Sequence, residues 1–203
     1  MHIDVSQQSP SDIYHLITQT VVPRPIAWVL TDSGEHNYNL APFSYFTPVS
    51  SNPPLLMVSV GKKPSGEVKD TTKNALATKH LVIHIASVKS AALVTNTAAT
   101  LEHGHSEVTE SQIELEQFAD FPLPRVKDCA VAFGCELYEV KEIGETPQSL
   151  IFAEIKAIYI NPEVIDEEAS RLKIDALALD PLSRLGGGEY ATLDSTFTIE
   201  RPQ

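Results

Sequence analysis

The chain has little that would tie it to an oxidising compartment, a membrane or a polyanion. Of its 203 residues two are cysteine, Cys129 and Cys135. At that spacing they would share one face of a strand but lie too far apart along it to bridge. Free thiols in a reducing cytosol are the simplest expectation. Positive charge is scarce: 15 basic against 27 acidic residues leave a net charge of −12. That argues against a broad nucleic-acid or anionic-membrane surface, both of which need a positive field. No apolar run is long enough to span a bilayer. The start, MHIDVSQQSP, lacks the basic and then apolar order of an export signal. A cytoplasmic location is therefore expected.

What is present is ordinary globular composition. Hydrophobic residues make up 42% and charged residues 21%, with 14 Pro and 9 Gly spread along the chain. Without repeats or linkers this reads as one domain over residues 1–203, leaving roughly 9,000 Å² exposed of roughly 32,000 Å² in the unfolded chain. Ser9-Pro-Ser-Asp12 starts a short amphipathic helix. Ile26–Thr31, the turn Asp32-Ser-Gly34 and the run to Phe46 read as a hairpin. PLLMVSV (54–60) and HLVIHIA (80–86) read as buried strands, with a helix over Lys69–Lys79 capped by Asp70 or Thr71. Another helix is expected over Lys89–Ala99, then an irregular acidic stretch to Pro124. The strands Cys129–Val140 and Leu150–Ile160 follow. Hairpin-like connections dominate, which favours a mainly β antiparallel barrel with inserted helices over a βαβ sheet.

The stretch NLAPFSYFTPVSSNPPLLMVSV (39–60) places Pro42, Pro48, Pro53 and Pro54 among strand-forming residues. Proline cannot donate to a ladder, so Pro42 is expected to break pairing there and leave backbone groups in need of partners. A flat heterocycle with donors and acceptors on its rim would serve, and Ser44, Ser50, Ser51, Asn52 and Ser59 suit a hydroxylated chain and its phosphate. A bulged barrel corner with ordinary Ser/Thr turns fits the same residues.

Charge is distributed unevenly. Lys62, Lys63, Lys69, Lys73 and Lys79 face two acids, Glu67 and Asp70, whereas Ser90–Pro124 has Glu102, Glu107, Glu110, Glu114, Glu116 and Asp120 without Lys or Arg. The basic segment is either a local anion site or a solvated helix face. Gly186-Gly-Gly188 matches neither dinucleotide nor Walker loops and reads as a turn. His103-Gly-His105 lacks a third ligand at a recognisable spacing, and His80 and His84 lie in a strand, so no metal is expected.

VPRPIAWV (22–29), NLAPFSYF (39–46), VSSNPP (49–54), Lys69-Asp-Thr71 with Asn74, and RLGG (184–187) with Tyr190 occur in an order that resembles the flavin reductase-like, FMN-binding split-barrel family, in the branch that includes flavoredoxin. The resemblance implies a six-stranded antiparallel Greek-key split barrel, a homodimer, and FMN at or near the subunit interface. It implies that Asn39, Leu40, Ala41, Pro42 and Ser44, with Tyr45 close by, follow the isoalloxazine ring. Ser59, Lys69, Thr71 and Asn74 would hold the ribityl phosphate, with Asp70 as helix cap, and Arg184 would face the flavin, from the same subunit or its partner. The implied activity is NAD(P)H-dependent flavin reduction that passes electrons to a small acceptor or protein partner. An FMN-binding redox carrier with little nicotinamide turnover is the alternative. The acidic stretch Glu102–Asp120 is a candidate cover for the ring.

Overall fold

The structure, a computed structural model, describes residues 1–99, 101, 105–167 and 170–202. Ser9 opens helix α1 (Pro10–Thr20) by accepting the Asp12 N–H at 3.1 Å, with Pro10 at the first helical position. A short strand β1 (Arg24–Pro25) leads into the hairpin of β2 (Ala27–Asp32) and β3 (Tyr38–Phe43). Then come β4 (Phe46–Ser51), β5 (Pro54–Val60), α2 (Asp70–Thr78), β6 (His80–Ile85), α3 (Ala91–Asn96) and α4 (Glu107–Glu110). A small ladder pairs β7 (Leu115–Glu116) with β8 (Arg125–Val126). The long hairpin β9 (Val131–Ile143) and β10 (Gln148–Ile160) precedes α5 (Ala176–Leu179), β11 (Ser183–Arg184) and β12 (Tyr190–Ala191).

Seven strands form the main sheet in the order β3-β2-β6-β9-β10-β5-β4, every neighbour antiparallel. Its two edge strands, β3 and β4, are joined through Ser44 and Tyr45 alone. Such a link spans roughly 10 Å at most, so the sheet must curl until its edges meet. The result is a barrel left open along one seam. Pairing of β2 with β6 and of β5 with β10, strands distant in sequence, makes the connectivity a Greek key. The six strands expected become seven because the chain turns a corner at Ser44–Tyr45, dividing one run into two edges.

The prolines sit where a missing donor costs least. Pro42 does not break the ladder: pairing runs without interruption from Ala27↔Phe43 to Asp32↔Tyr38, with Trp28 opposite Pro42. Because β3 is an edge, the N–H that Pro42 lacks would point away from β2. Pro48 stands at a register shift in the other edge strand, and Pro54 begins β5. The peptide bonds before Pro23 and Pro53 are cis.

Alternation along β2 divides the core. Ala27 and Val29 face the barrel interior with Phe43, Val58, Leu81, Ile83, Cys135 and Ile151. Trp28 and Leu30 face outward, under a layer from the insertion after β6 that contains Val94, Val108, Phe118, Phe121 and Leu123. The acidic stretch is anchored by these buried apolar groups, although Glu102, with His103 and Gly104, lies outside the described residues. Both cysteines are buried free thiols, pushed up to about 12 by burial. No helix among the described residues is long and apolar enough to cross a membrane.

Candidate functional site

A cleft of about 100 Å³ opens where α2 begins. Asn39, Ala41, Pro42 and Phe43 form one wall, Lys63, Lys69, Asp70 and Thr71 a second, and the segment bearing Thr97 and Glu107 a third. Two side-chain pairs seat α2 against the hairpin: Asn39 Nδ2 donates to Thr71 Oγ1 at 3.1 Å, and Asn74 Nδ2 donates to Thr31 Oγ1 at 3.2 Å. The first pair lines the cleft. The second is spent on packing.

The start of α2 gathers two lysines, Lys63 and Lys69, around one acid, Asp70. Lys69, not Asp70 or Thr71, occupies the N-cap position, and no side chain caps the helix. Asp70 turns instead to Lys63, whose Nζ lies 2.8 Å from its carboxylate. The expected cap is not formed because Asp70 is already the first helical residue, one position past the cap. Lys69 Nζ lies 5.6 Å from the centre of the Phe43 ring. Burial, and then the nearby Lys63, pull the Lys69 ammonium below its ordinary range. In the same turn Thr72 Oγ1 is buried without a hydrogen-bond partner among the described residues, a costly state unless something meets it.

On the third wall Glu107 Oε2 accepts the Leu40 N–H at 3.0 Å. Burial pushes its carboxyl above the usual range. The Leu40 bond opposes that shift, while Asp70 and Glu110 add to it. Thr97 accepts the Trp28 indole N–H at 2.8 Å, tying this wall to the outer core.

The remaining expected residues lie elsewhere. Ser44 Oγ accepts from Arg24 Nε at 3.3 Å, and the Tyr45 ring stacks on Tyr14 with centroids 6.5 Å apart. Ser59 donates its N–H to the Tyr45 carbonyl at 2.8 Å, just beyond the end of the β4–β5 ladder. Arg184 is not among the residues lining the cleft: its guanidinium donates to the Glu189 and Gly187 carbonyls and stands 4.6 Å over the Tyr190 ring. The glycine run between them is the turn of the β11–β12 hairpin. At Gly186 a side chain would run into Gln19 of α1.

Arg24, Lys63, Thr97 and Glu107 were not singled out as site residues from the sequence, where Lys63 entered only with the basic segment and Glu107 only with the acidic stretch. Arg24, buried between two prolines, donates to the Thr18, Val21 and Leu185 carbonyls as well as to Ser44, joining the α1 end, the glycine turn and the barrel corner. The motif that contains it was visible, but its partners are distant in sequence. Glu107 resembles any first-turn acid.

His84 is fully buried, with Nδ1–H donating to the Trp28 carbonyl at 2.9 Å and Nε2 accepting the Val126 N–H at 2.9 Å. Both ring nitrogens are engaged, and burial lowers its pKa to about 4. His105 faces Glu110 at 3.1 Å. No cluster of three or more His, Cys, Asp or Glu suited to a metal occurs among the described residues.

The family model for the flavin reductase like domain matches residues 19–179. The uncharacterised protein YwrF of Bacillus subtilis is 35% identical over 200 residues, covering 97% of this chain and 96% of its own. Nitrilotriacetate monooxygenase component B from Bacillus cereus superposes with a TM-score of 0.90 at 32% identity over 98% of each chain. The 2-nitrobenzoate 2-nitroreductase NbaA of Pseudomonas fluorescens superposes at 0.88, with 30% identity over 100% of this chain and 96% of that one. With the split barrel, the cleft at α2 and a family match over most of the sequence, the chain belongs to the flavin reductase-like family.

Proposed function

We propose that the protein binds FMN in the cleft at the start of α2 and acts as an NAD(P)H-dependent flavin reductase-like oxidoreductase that passes electrons to a small acceptor or a partner protein. The observation that carries this reading is the electrostatic state of Lys69: half-buried, crowded by Lys63 and beside an uncapped helix end. A dianionic phosphate there relieves the repulsion and gains from the helix dipole and its N–H groups. Ala41 and Pro42 offer a flat wall of small side chains on which a ring can approach the backbone of β3. Bound FMN supplies hydride acceptance and electron transfer. The chain's own part is to hold the phosphate, orient the ring and leave one face open.

Similarity to a monooxygenase component supports delivery to a partner protein, and similarity to a nitroreductase supports a small aromatic acceptor. A homodimer is part of the same proposal, from the family resemblance. The apolar side chains of Phe197 and Ile199 are 86% and 77% exposed, which is surface a second copy would cover.

The test is visible absorbance after FMN loading and desalting, followed by anaerobic NADH and then NADPH. Retained flavin that bleaches quickly supports the reductase and names its donor. Retained flavin that stays yellow replaces it with the carrier, and a colourless protein without FMN-dependent stabilisation removes FMN from the cleft. Sedimentation velocity checks the dimer.

A further inference from the structure

We propose that Glu107 is a positioning residue for the flavin: by taking the Leu40 N–H on the outer edge of β3, its carboxylate holds Asn39 to Phe43 as a fixed wall of the cleft. The assignment rests on FMN occupying that cleft.

An edge strand presents every second residue's N–H and C=O to whatever lies beyond it. On β3 those residues are Tyr38, Leu40 and Pro42, since the Leu40 N–H points to Glu107 and away from β2. Pro42 has no N–H, so Leu40 supplies the last outward donor before the corner at Ser44. Two consecutive residues at the start of α4 meet this edge. Ser106 Oγ donates to the Tyr38 carbonyl at 2.5 Å, and Glu107 accepts from Leu40 at 3.0 Å. Glu107 is only 7% exposed, and burying a carboxylate is costly unless a specific contact holds it. The contact it makes is with the strand that carries the proposed ring wall.

The test combines hydrogen exchange at the Leu40 amide with FMN titration, followed by flavin fluorescence, in wild type, E107Q, E107A and S106A. Glutamine keeps a carbonyl acceptor, so E107Q should retain slow exchange and bind FMN at least as well as wild type. E107A should exchange at Leu40 and bind FMN each roughly tenfold worse, the cost of a lost buried acceptor. S106A frees the Tyr38 carbonyl and removes the cap that Ser106 gives the Thr109 N–H, and should fall between them; it decides the matter if E107A does not fold. Unchanged Leu40 exchange in E107A, or fast exchange with wild-type FMN affinity, overturns the assignment. E107Q as weak as E107A also overturns it, because charge rather than the strand edge would then be at work. Wild-type protein that takes up no FMN overturns the flavin reading itself, and is seen before any variant is made.

Discussion

Two corners of the molecule concentrate positive charge, and they differ in what surrounds it. At the α1 end, Arg24 and Arg184 spend their donors on backbone carbonyls: Thr18, Val21 and Leu185 for one, Gly187 and Glu189 for the other. At the start of α2, Lys69 has burial and a second lysine beside it, with a helix end that no side chain caps. A guanidinium whose fork is filled by carbonyls holds loops together, whereas an ammonium crowded in this way is poised for an anion. Positive charge alone does not mark a ligand site. A half-buried lysine crowded by a second one at an uncapped helix N-terminus favours an anion.

The contrast can be tested from its strongest consequence downward. Arg24→Ala leaves three carbonyls and Ser44 without their donor, and should cost roughly 3 kcal/mol or more of folding stability, read as a lower urea midpoint at unchanged slope. Little change would mean that Arg24 is not the tie between α1, the glycine turn and the barrel corner.

His84 extends the satisfied category to a titratable group. Its folded value of about 4 lies below the ordinary 6.5, so between these pH values the unfolded chain binds a proton that the folded chain refuses. Stability present in full above the unfolded value is therefore lost as pH falls toward the folded one, by about 3 kcal/mol. Urea midpoints at pH 7 and pH 4.5 should diverge more for wild type than for His84→Gln. An NMR titration of the His84 ring with a midpoint near its ordinary value would contradict this.

Lys69→Ala should weaken FMN binding by roughly 1–3 kcal/mol, the loss of a charge-assisted contact, without lowering the urea midpoint. Affinity within about a factor of two of wild type would move the phosphate elsewhere and erase the distinction between the corners. The smallest effect belongs to Arg184→Ala, which should change FMN affinity by less than about threefold while loosening the β11–β12 hairpin, since stacking on Tyr190 is worth roughly 0.5–1 kcal/mol. A large loss of FMN affinity would mean that Arg184 reaches a cleft after all, in its own chain or in a second copy.

Much of this was legible from local pattern. Alternating apolar residues marked β2, β5 and β6, and Asp32-Ser-Gly34 marked the hairpin turn, because side-chain direction in a strand repeats every two residues whatever lies around it. Lys69 stood out because basic residues cluster beside it in the chain. Prolines announced that the segment from Asn39 was unusual, but not how: a missing donor predicts a break in a central strand and nothing of the kind in an edge strand, and sequence does not say which strand is an edge.

Strand periodicity, helix starts and the order of the family motifs follow from the residues themselves, through forces that act within a few positions of each other. Which strands became edges, which lysine lost its carboxylate to a neighbour, and which glutamate reached the Leu40 N–H were decided only when distant segments met. Leu40 and Glu107, or Arg24 and Leu185, are neighbours solely because the sheet curls and the insertion packs on its outer face. Hydrogen bonds and charge pairs act over a few ångströms of space, so the partners that set the state of each group come from the fold and not from the adjacent sequence.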